Sequence, residues 1–400
     1  MVPTSSHTRV FDLDGRKVLF NELSTRLFVL NKSASFVWKF VSAGCEPEHI
    51  VSKLHERTDA SRDQISRDVT ALLDQWSASG LIESEHPADV EKPSRDRDLF
   101  ESTDHAPIAN FGAGDVSGKR TFDRAYRLVD YQFRLRGDTD LAVISDELLG
   151  HLALTGSQPG QGWPLFELYF HQDRWVFCHG NNLLDECYAR DQITPMIHAN
   201  ILSAAFRASK SQTAIHAAAV SKGAKCVLLP ARSGSGKSTL TAALIASGFN
   251  YCTDDLALLT PDPIRLRPAP LRMGIKSSSW EVLGGFLPAL QALPVHHRAD
   301  NKRIRYFLPP DELLPKSSAE ALAVTAIVFP EFVPGSELEL QTIERGDALL
   351  RMLDAGFDLN EALDREWVES TISWLKTLEC HELKFDDLEQ AVAAVASVLR

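Results

Sequence analysis

Apolar and polar residues alternate through residues 9–30 on either side of Asp14-Gly15, a pattern that predicts two or three short antiparallel strands turning at that pair. The period then becomes helical three times. Over 33–41, Phe36, Val37, Phe40 and Val41 share one side, and Gly44 stops the run. Pro47 suits a first helical turn and precedes Ile50, Val51 and Leu54 on one face. Ser61-x-x-Gln64 has the form of a capping box, after which Ile65, Val69, Leu72, Leu73 and Trp76 make one stripe that Gly80 ends. Strands followed by three helices predict a small α+β, winged-helix-like domain over residues 1–84.

Both periods vanish in the polar, Pro- and Gly-bearing stretch that follows, which predicts a flexible linker over 85–119. The polar stretch from Glu83 to Lys119, as a coil of about 37 residues, would span roughly 30–37 Å. Beyond it, 124–135 and 165–178 read as strands, the second a hairpin turning at His171-Gln172-Asp173, with helices near 140–152 and 192–208. From about 213 the order is strand, turn at Lys222-Gly223, strand, glycine-rich loop, helix, strand. That succession is an α/β nucleotide-binding pattern, and it divides a second domain, 120–400, into a subregion 120–212 and a core 213–400.

The loop reads Ala231-Arg232-Ser233-Gly234-Ser235-Gly236-Lys237-Ser238, followed by Thr239. It fits the P-loop pattern GxxxxGK[ST] with Ala in the first Gly position. Gly234 and Gly236 let successive backbone N–H groups turn inward on a phosphate, and the helix that follows adds its positive end. Ser233 to Thr239 are the expected ATP-phosphate contacts, with Lys237 between the β- and γ-phosphates and the Ser238 hydroxyl on Mg²⁺. The next strand delivers Asp254-Asp255 at its carboxyl end. Those acids read either as a turn or helix cap, or as a pair in which one holds Mg²⁺ and the other takes a proton from a hydroxyl.

Composition narrows the field. Hydrophobic residues are 44% and charged residues 24% of 400, the balance of a globular protein, and length alone suggests two or three domains. The formal net charge of -12 argues against a nucleic-acid partner. No apolar run approaches the roughly 18 residues of a membrane span, so a cytoplasmic protein without a membrane partner is expected. Six scattered cysteines read as reduced thiols, and His296-His297 as a surface loop.

The run Ile215-His216-Ala217-Ala218-Ala219-Val220, the glycine loop and Thr253-Asp254-Asp255 together resemble the HPr serine kinase/phosphorylase family and its relatives. The resemblance implies an HPr-kinase-like P-loop domain that uses ATP and Mg²⁺ and assembles into homo-oligomers. It implies His216 near the phosphates, Asp254 as general base, and Asp255 as the metal-linked acid beside Ser238. Segment 270–276 looks like one that ends in a lysine facing the nucleotide, here Lys276. Arg303 and Arg305 read either as neutralising the transferred phosphate or as a solvated basic face. The carboxy-terminal signature of HPr kinases has no match.

Leu30-Asn31-Lys32-Ser33-Ala34-Ser35-Phe36-Val37-Trp38-Lys39-Phe40, the helix over 46–54, and the helix over 65–76 closing with Gly80-Leu81-Ile82 resemble the PqqD family. That family supplies peptide-recognition elements to the biosynthesis of ribosomally made, modified peptides. The resemblance implies a leader peptide added as a strand beside the third strand and against the last helix, and it assigns no contact residues. A DNA-binding winged helix is the rival, but residues 1–90 carry ten Lys+Arg against thirteen Asp+Glu. The combined expectation is an ATP-dependent phosphotransferase, a peptide serine/threonine kinase that captures a precursor by its leader. Two alternatives are a small-molecule hydroxyl kinase docked to another peptide-modifying enzyme and a nucleotide-gated, non-catalytic peptide carrier.

Overall fold

A computed structural model describes residues 4–83, 121–154, 162–208, 213–261, 263–315, 321–359 and 363–399. The linker expected at 85–119 lies outside the described residues. The chain divides into two compact units.

The first unit begins with an antiparallel sheet of β1 (Thr8–Leu13), β2 (Arg16–Asn21) and β3 (Arg26–Val29), in that order. Its first turn holds Asp14 at φ 53° and Gly15 at φ 80°, left-handed conformations that Asp and Gly tolerate. Three helices follow: α1 (Lys32–Ser42), capped by the Asn31 side chain, α2 (Pro47–His55) and α3 (Arg62–Ala78). Ser61 Oγ accepts the Gln64 amide at 3.3 Å, but the return half of the expected capping box is not made. The Gln64 side chain instead donates to Asp68 at 2.7 Å and accepts from Arg67 at 2.8 Å. Leu19, Val37, Trp38, Val41, Ile50, Ile65, Val69 and Trp76 form the core, with the two indoles edge to face at 5.0 Å. The N-terminal region is α+β, as the hydrophobic pattern predicts.

The second unit opens with β4 (Phe122–Leu128), β5 (Tyr131–Gly137), α4 (Thr139–Leu149), β6 (Leu165–His171), β7 (Arg174–His179), β8 (Asn182–Cys187) and α5 (Ile193–Ala208). The five strands form one sheet in chain order. The stretch 124–135, expected as a single strand, is the β4–β5 hairpin, and β8 was not foreseen. Short strands β9 (Thr213–Ile215), β10 (Ala217–Lys222) and β11 (Lys225–Pro230) lead into the glycine loop, α6 (Lys237–Ala246) and β12 (Asn250–Thr253). After them come β13 (Ala257–Leu259), β14 (Leu266–Arg267), β15 (Met273–Lys276), β16 (His296–His297), β17 (Arg303–Phe307), β18 (Val324–Phe332) and β19 (Glu339–Thr342). The chain closes with α7 (Arg345–Ala355), β20 (Phe357–Leu359), α8 (Arg365–Leu375), β21 (Glu379–Phe385) and α9 (Leu388–Val398).

A six-stranded sheet runs β12-β10-β11-β18-β21-β19. Both β11 and β12 are antiparallel to β10, and β11 is parallel to β18, so β11, β12 and β18 point the same way. Their carboxyl ends therefore deliver the glycine loop, Asp254-Asp255 and Phe332 to one end of the sheet, the usual place for a ligand in an open α/β sheet. Ala218, Leu229, Leu240, Leu244, Val328, Leu383 and Val395 pack α6 and α9 onto it. The division expected at 212 is not a break in packing. Phe133, Phe166, Ile197 and Phe206 share one core with Ala214, Leu258, Leu271 and Tyr306. The second region is thus a mixed α/β assembly.

Segments Ile343–Leu353 and Glu361–Cys380, which the sequence reading assigns to 120–400, group with the N-terminal residues in the first unit. Arg16 donates to Glu344 at 3.0 Å and to Asp347 at 2.9 Å, Asp14 accepts from Arg345 at 3.2 Å, and α8 packs beside β1. Gly346 permits this approach, since a Cβ there would stand 2.6 Å from Arg16 Cδ. Among the described residues the chain passes between units at 342–343, 353–354 and 380–381.

Candidate functional site

Gly234 (φ 93°) and Gly236 (φ 87°) hold the loop between β11 and α6 in left-handed conformations that other residues resist. Gly236 is the N-cap of α6, so the first free amides of that helix face the loop's concavity. A cavity of about 1000 Å³ opens over it. Ser233, Gly234, Gly236, Lys237, Ser238, Thr239, His216, Asp255 and Lys276 line its wall, so most of the residues singled out from sequence meet there. Ser235 is off the wall, and its carbonyl accepts the Phe332 amide at 3.0 Å.

Lys237 is 6% exposed, with Nζ 3.2 Å from His216 Nε2. An ammonium has only donors, so Nε2 is the acceptor and the imidazole is neutral with its proton on Nδ1. Burial and the Lys237 charge push the His216 pKa down to about 4, in agreement with that assignment. Burial also lowers the Lys276 pKa, assisted by the charges of Arg298 and Lys302; its Nζ reaches Ser233 Oγ at 3.5 Å.

The two acids differ in placement and in charge. Asp254 is 3% exposed; the Ser238 hydroxyl is near enough to stabilise its charge, but neither carboxylate oxygen makes a hydrogen bond of good geometry. Burial and the adjacent Asp255 push its pKa up to about 7, against the pull of Lys237, Ser238 and Lys276. Burial would raise Asp255 too, but the positive charges around it, Lys237 foremost and Arg298 with it, outweigh burial and hold that carboxylate below its ordinary range. Asp255 is the acid on the cavity wall.

Arg303 and Arg305 do not reach the cavity wall. Their guanidinium groups lie over the Trp280 ring at 5.1 and 4.1 Å, and Arg305 also donates to Gln291 at 2.8 Å. Arg298 takes the place foreseen for them, lining the cavity within electrostatic reach of Asp255. His198 was also missed. It is 7% exposed on α5, lines the cavity, and has Nε2 3.0 Å from the Arg272 carbonyl. Its one sequence signal is a polar residue inside an otherwise apolar helix. His296 and His297 form β16, not a loop, and His297 Nδ1 lies 2.6 Å from Asp191. Among the described residues no group of three or more His, Cys, Asp or Glu is arranged to hold a metal, and the six cysteines are free thiols.

In the first unit, β3 is an edge strand, since only β2 pairs with it among the described residues. An edge strand offers unpaired N–H and C=O groups to an extended peptide. Residues 16–82 match the family described as coenzyme PQQ synthesis protein D (PqqD). They form a PqqD domain. That domain spans β2 to the isolated pairing of Ile82 with Thr4, and the pattern quoted from Leu30 to Ile82 lies inside it.

Two solved structures are similar over the same share of the chain. One is TbiB1 in complex with the TbiA(beta) leader peptide, at 22% identity and a TM-score of 0.21, covering 21% of this chain and 99% of that one. The other is lasso peptide synthetase B1 complexed with the leader peptide, at 20% identity and a TM-score of 0.20, covering 21% and 98%. No curated protein matches the chain. Among the described residues no helix is long and apolar enough to cross a membrane.

Proposed function

We propose that this chain captures a ribosomally made precursor peptide through its PqqD domain and transfers the γ-phosphoryl group of ATP to a Ser or Thr hydroxyl in it. One observation carries the reading: a buried carboxylate without a well-formed hydrogen bond, its pKa raised to about 7, beside a neutral histidine and a buried lysine at a glycine loop. An unsatisfied buried acid costs stability, and such costs cluster where chemistry is done. The residues fit a magnesium nucleotide. The left-handed glycines and the α6 N-terminus suit phosphate oxygens, while Ser238 and Asp255 are hard oxygen donors of the kind Mg²⁺ takes alongside phosphate.

In this reading Lys237 neutralises charge that builds on the phosphates, and His216 stays neutral and orients the lysine. Bound Mg²⁺ would add charge neutralisation between the phosphates. A carboxylate of the Asp254-Asp255 pair takes the hydroxyl proton, Asp254 having the matched pKa and Asp255 the place on the cavity wall, as the hydroxyl oxygen bonds to the γ-phosphorus and the bond to the β–γ bridging oxygen breaks, with ADP as leaving group. A base with a pKa near ambient pH is well matched to that transfer. The PqqD match and the free β3 edge support capture of a leader peptide by strand addition.

The deciding experiment incubates the full chain with Mg-ATP and a candidate precursor and follows both by mass spectrometry. A precursor heavier by one phosphoryl group is expected. ATP turnover with an unmodified precursor that stays bound would favour the carrier, and phosphorylation of a small hydroxylated compound alone would favour the small-molecule kinase.

A further inference from the structure

The cavity over the glycine loop has two unlike ends. Toward β12 it is charged, with Asp255, Lys237 and Lys276 on its wall. On the other side of the loop, where β18 and β21 end, Phe332 and Phe385 line it together with Asp386, whose carboxylate accepts the Gly335 amide at 2.9 Å. Phe332, the last residue of β18, lines the cavity and is 44% exposed, unusual for a ring placed beside a packed core. Its amide is tied to the loop through the Ser235 carbonyl at 3.0 Å, and the next amide, Val333, donates to the Phe385 carbonyl at 2.9 Å. The Phe332 and Phe385 rings meet edge to face at 5.9 Å. A Cβ on Gly236 would stand 3.0 Å from Phe332 Cβ and 3.4 Å from Phe385 Cζ, so the aromatic pair lies directly against the loop.

A charged end, a loop of inward amides and an exposed aromatic face in that order match the chemistry of a nucleotide, whose phosphate chain leads to a flat heteroaromatic ring. We propose that Phe332, braced by Phe385, is the stacking platform for the nucleobase. This rests on the nucleotide reading above and adds to it the residue that holds the base. Stacking of a base on an aromatic side chain is strong enough to read as roughly tenfold or more in affinity. The position also sets polarity: with the base over β18 and β21, the terminal phosphate points toward Asp254 and Asp255.

The test is calorimetric titration of the full chain with Mg-ADP and, separately, Mg-pyrophosphate, which carries phosphates but no base. The wild-type chain is expected to bind ADP more tightly than pyrophosphate. Phe332→Ala is expected to weaken ADP about tenfold and leave pyrophosphate unchanged, while Phe332→Trp keeps ADP affinity and its indole emission changes with ADP but not with pyrophosphate. Equal ADP affinity in wild type and Phe332→Ala, or equal affinity of wild type for the two ligands, would overturn the platform while leaving the phosphate site standing. A wild-type chain that binds neither ligand would remove the nucleotide reading and the platform with it. Should Phe332→Ala lose pyrophosphate as well, Phe332→Leu, which retains apolar packing on Phe385 without the ring, decides between the same outcomes.

Discussion

In the first unit the partly exposed Asp14, Glu344, Arg345 and Asp347 and the largely buried Arg16 satisfy one another. Arg16 serves two carboxylates, Arg345 reaches Asp14, and Lys32 also pairs with Glu344, holding that carboxyl below its ordinary range. In the second unit Lys237 and Asp254 are buried beside the half-buried His216 and Asp255, and neither oxygen of Asp254 makes a well-formed hydrogen bond. The first arrangement joins segments far apart in sequence at little electrostatic cost. The second is unfavourable until something arrives between the groups. Such clusters concentrate where charge is used, so the contrast sets a unit joined by satisfied charges against one whose strained charges support the proposed phosphoryl transfer.

Removing the cluster's cation should produce the largest effect. Lys237→Ala is expected to lower phosphoryl transfer at least about a thousandfold, the scale of a lost transition-state charge partner. Leader affinity, read by fluorescence polarisation, should not change, because the two sites draw on residues of different units. A matching fall in leader affinity would mean that the units do not divide the work.

Asp254→Asn comes next, with turnover down about a hundredfold and Mg-ADP binding retained. Unchanged turnover with collapsed Mg²⁺ affinity would exchange the roles of Asp254 and Asp255. The wild-type kcat/KM should rise about tenfold per pH unit up to about pH 7 and flatten above, because the ionised carboxylate is the active form. The same raised pKa has a stability consequence. Folded Asp254 keeps its proton up to about pH 7 while the unfolded residue loses it near 4, so the folded state binds more protons in that window and stability falls as pH rises through it. Asp254→Asn should therefore melt above the wild type at pH 8, with the gap closing toward pH 4.

Arg16→Ala tests the other side of the comparison. Its side chain is 11% exposed beneath two acids, and its loss is expected to destabilise the first unit by about 2 kcal/mol. Hydrogen exchange should quicken in α3 and α7 but not in α6, and Mg-ADP affinity should hold. Equal quickening in α6 would make the two units one cooperative structure.

What was legible in the sequence follows physical locality. The helices of the first unit carry their caps, stops and apolar stripes within a few residues, and the glycine loop writes its geometry into eight consecutive positions. The addition of α7 and α8 to the first unit rests on Arg16 meeting Glu344 and Asp347, single charges more than 300 positions away that leave no local pattern. Arg298 and His198 reach the cavity from separate segments for the same reason. The β4–β5 hairpin was hidden because its turn is Val129-Asp130, with Val129 at φ 57° where a β-branched residue is strained and a glycine signal is absent. Lys237, His216, Asp255 and Lys276 were found because each stands in a motif, and Asp255 took its place on the cavity wall where Asp254 did not.

The smallest effect concerns the first turn of α3, where Ser61 caps and Gln64 does not reciprocate. Ser61→Ala removes the acceptor of the Gln64 amide and should cost about 1 kcal/mol, the usual scale for a serine N-cap. In a full capping box Gln64→Ala would cost nearly as much, because a second N-terminal amide would lose its partner. Here the Gln64 side chain spans Arg67 and Asp68 on an exposed face, so its loss removes only side-chain pairs worth a few tenths of a kcal/mol each. Urea unfolding followed through α3 by hydrogen exchange should therefore rank Ser61→Ala clearly below wild type and place Gln64→Ala within about 0.5 kcal/mol of it. Equal losses for the two would show that the box closes in solution. The Asp68 contact would then be the weaker of two competing partners for Gln64, and the first turn of α3 would be correspondingly stiffer.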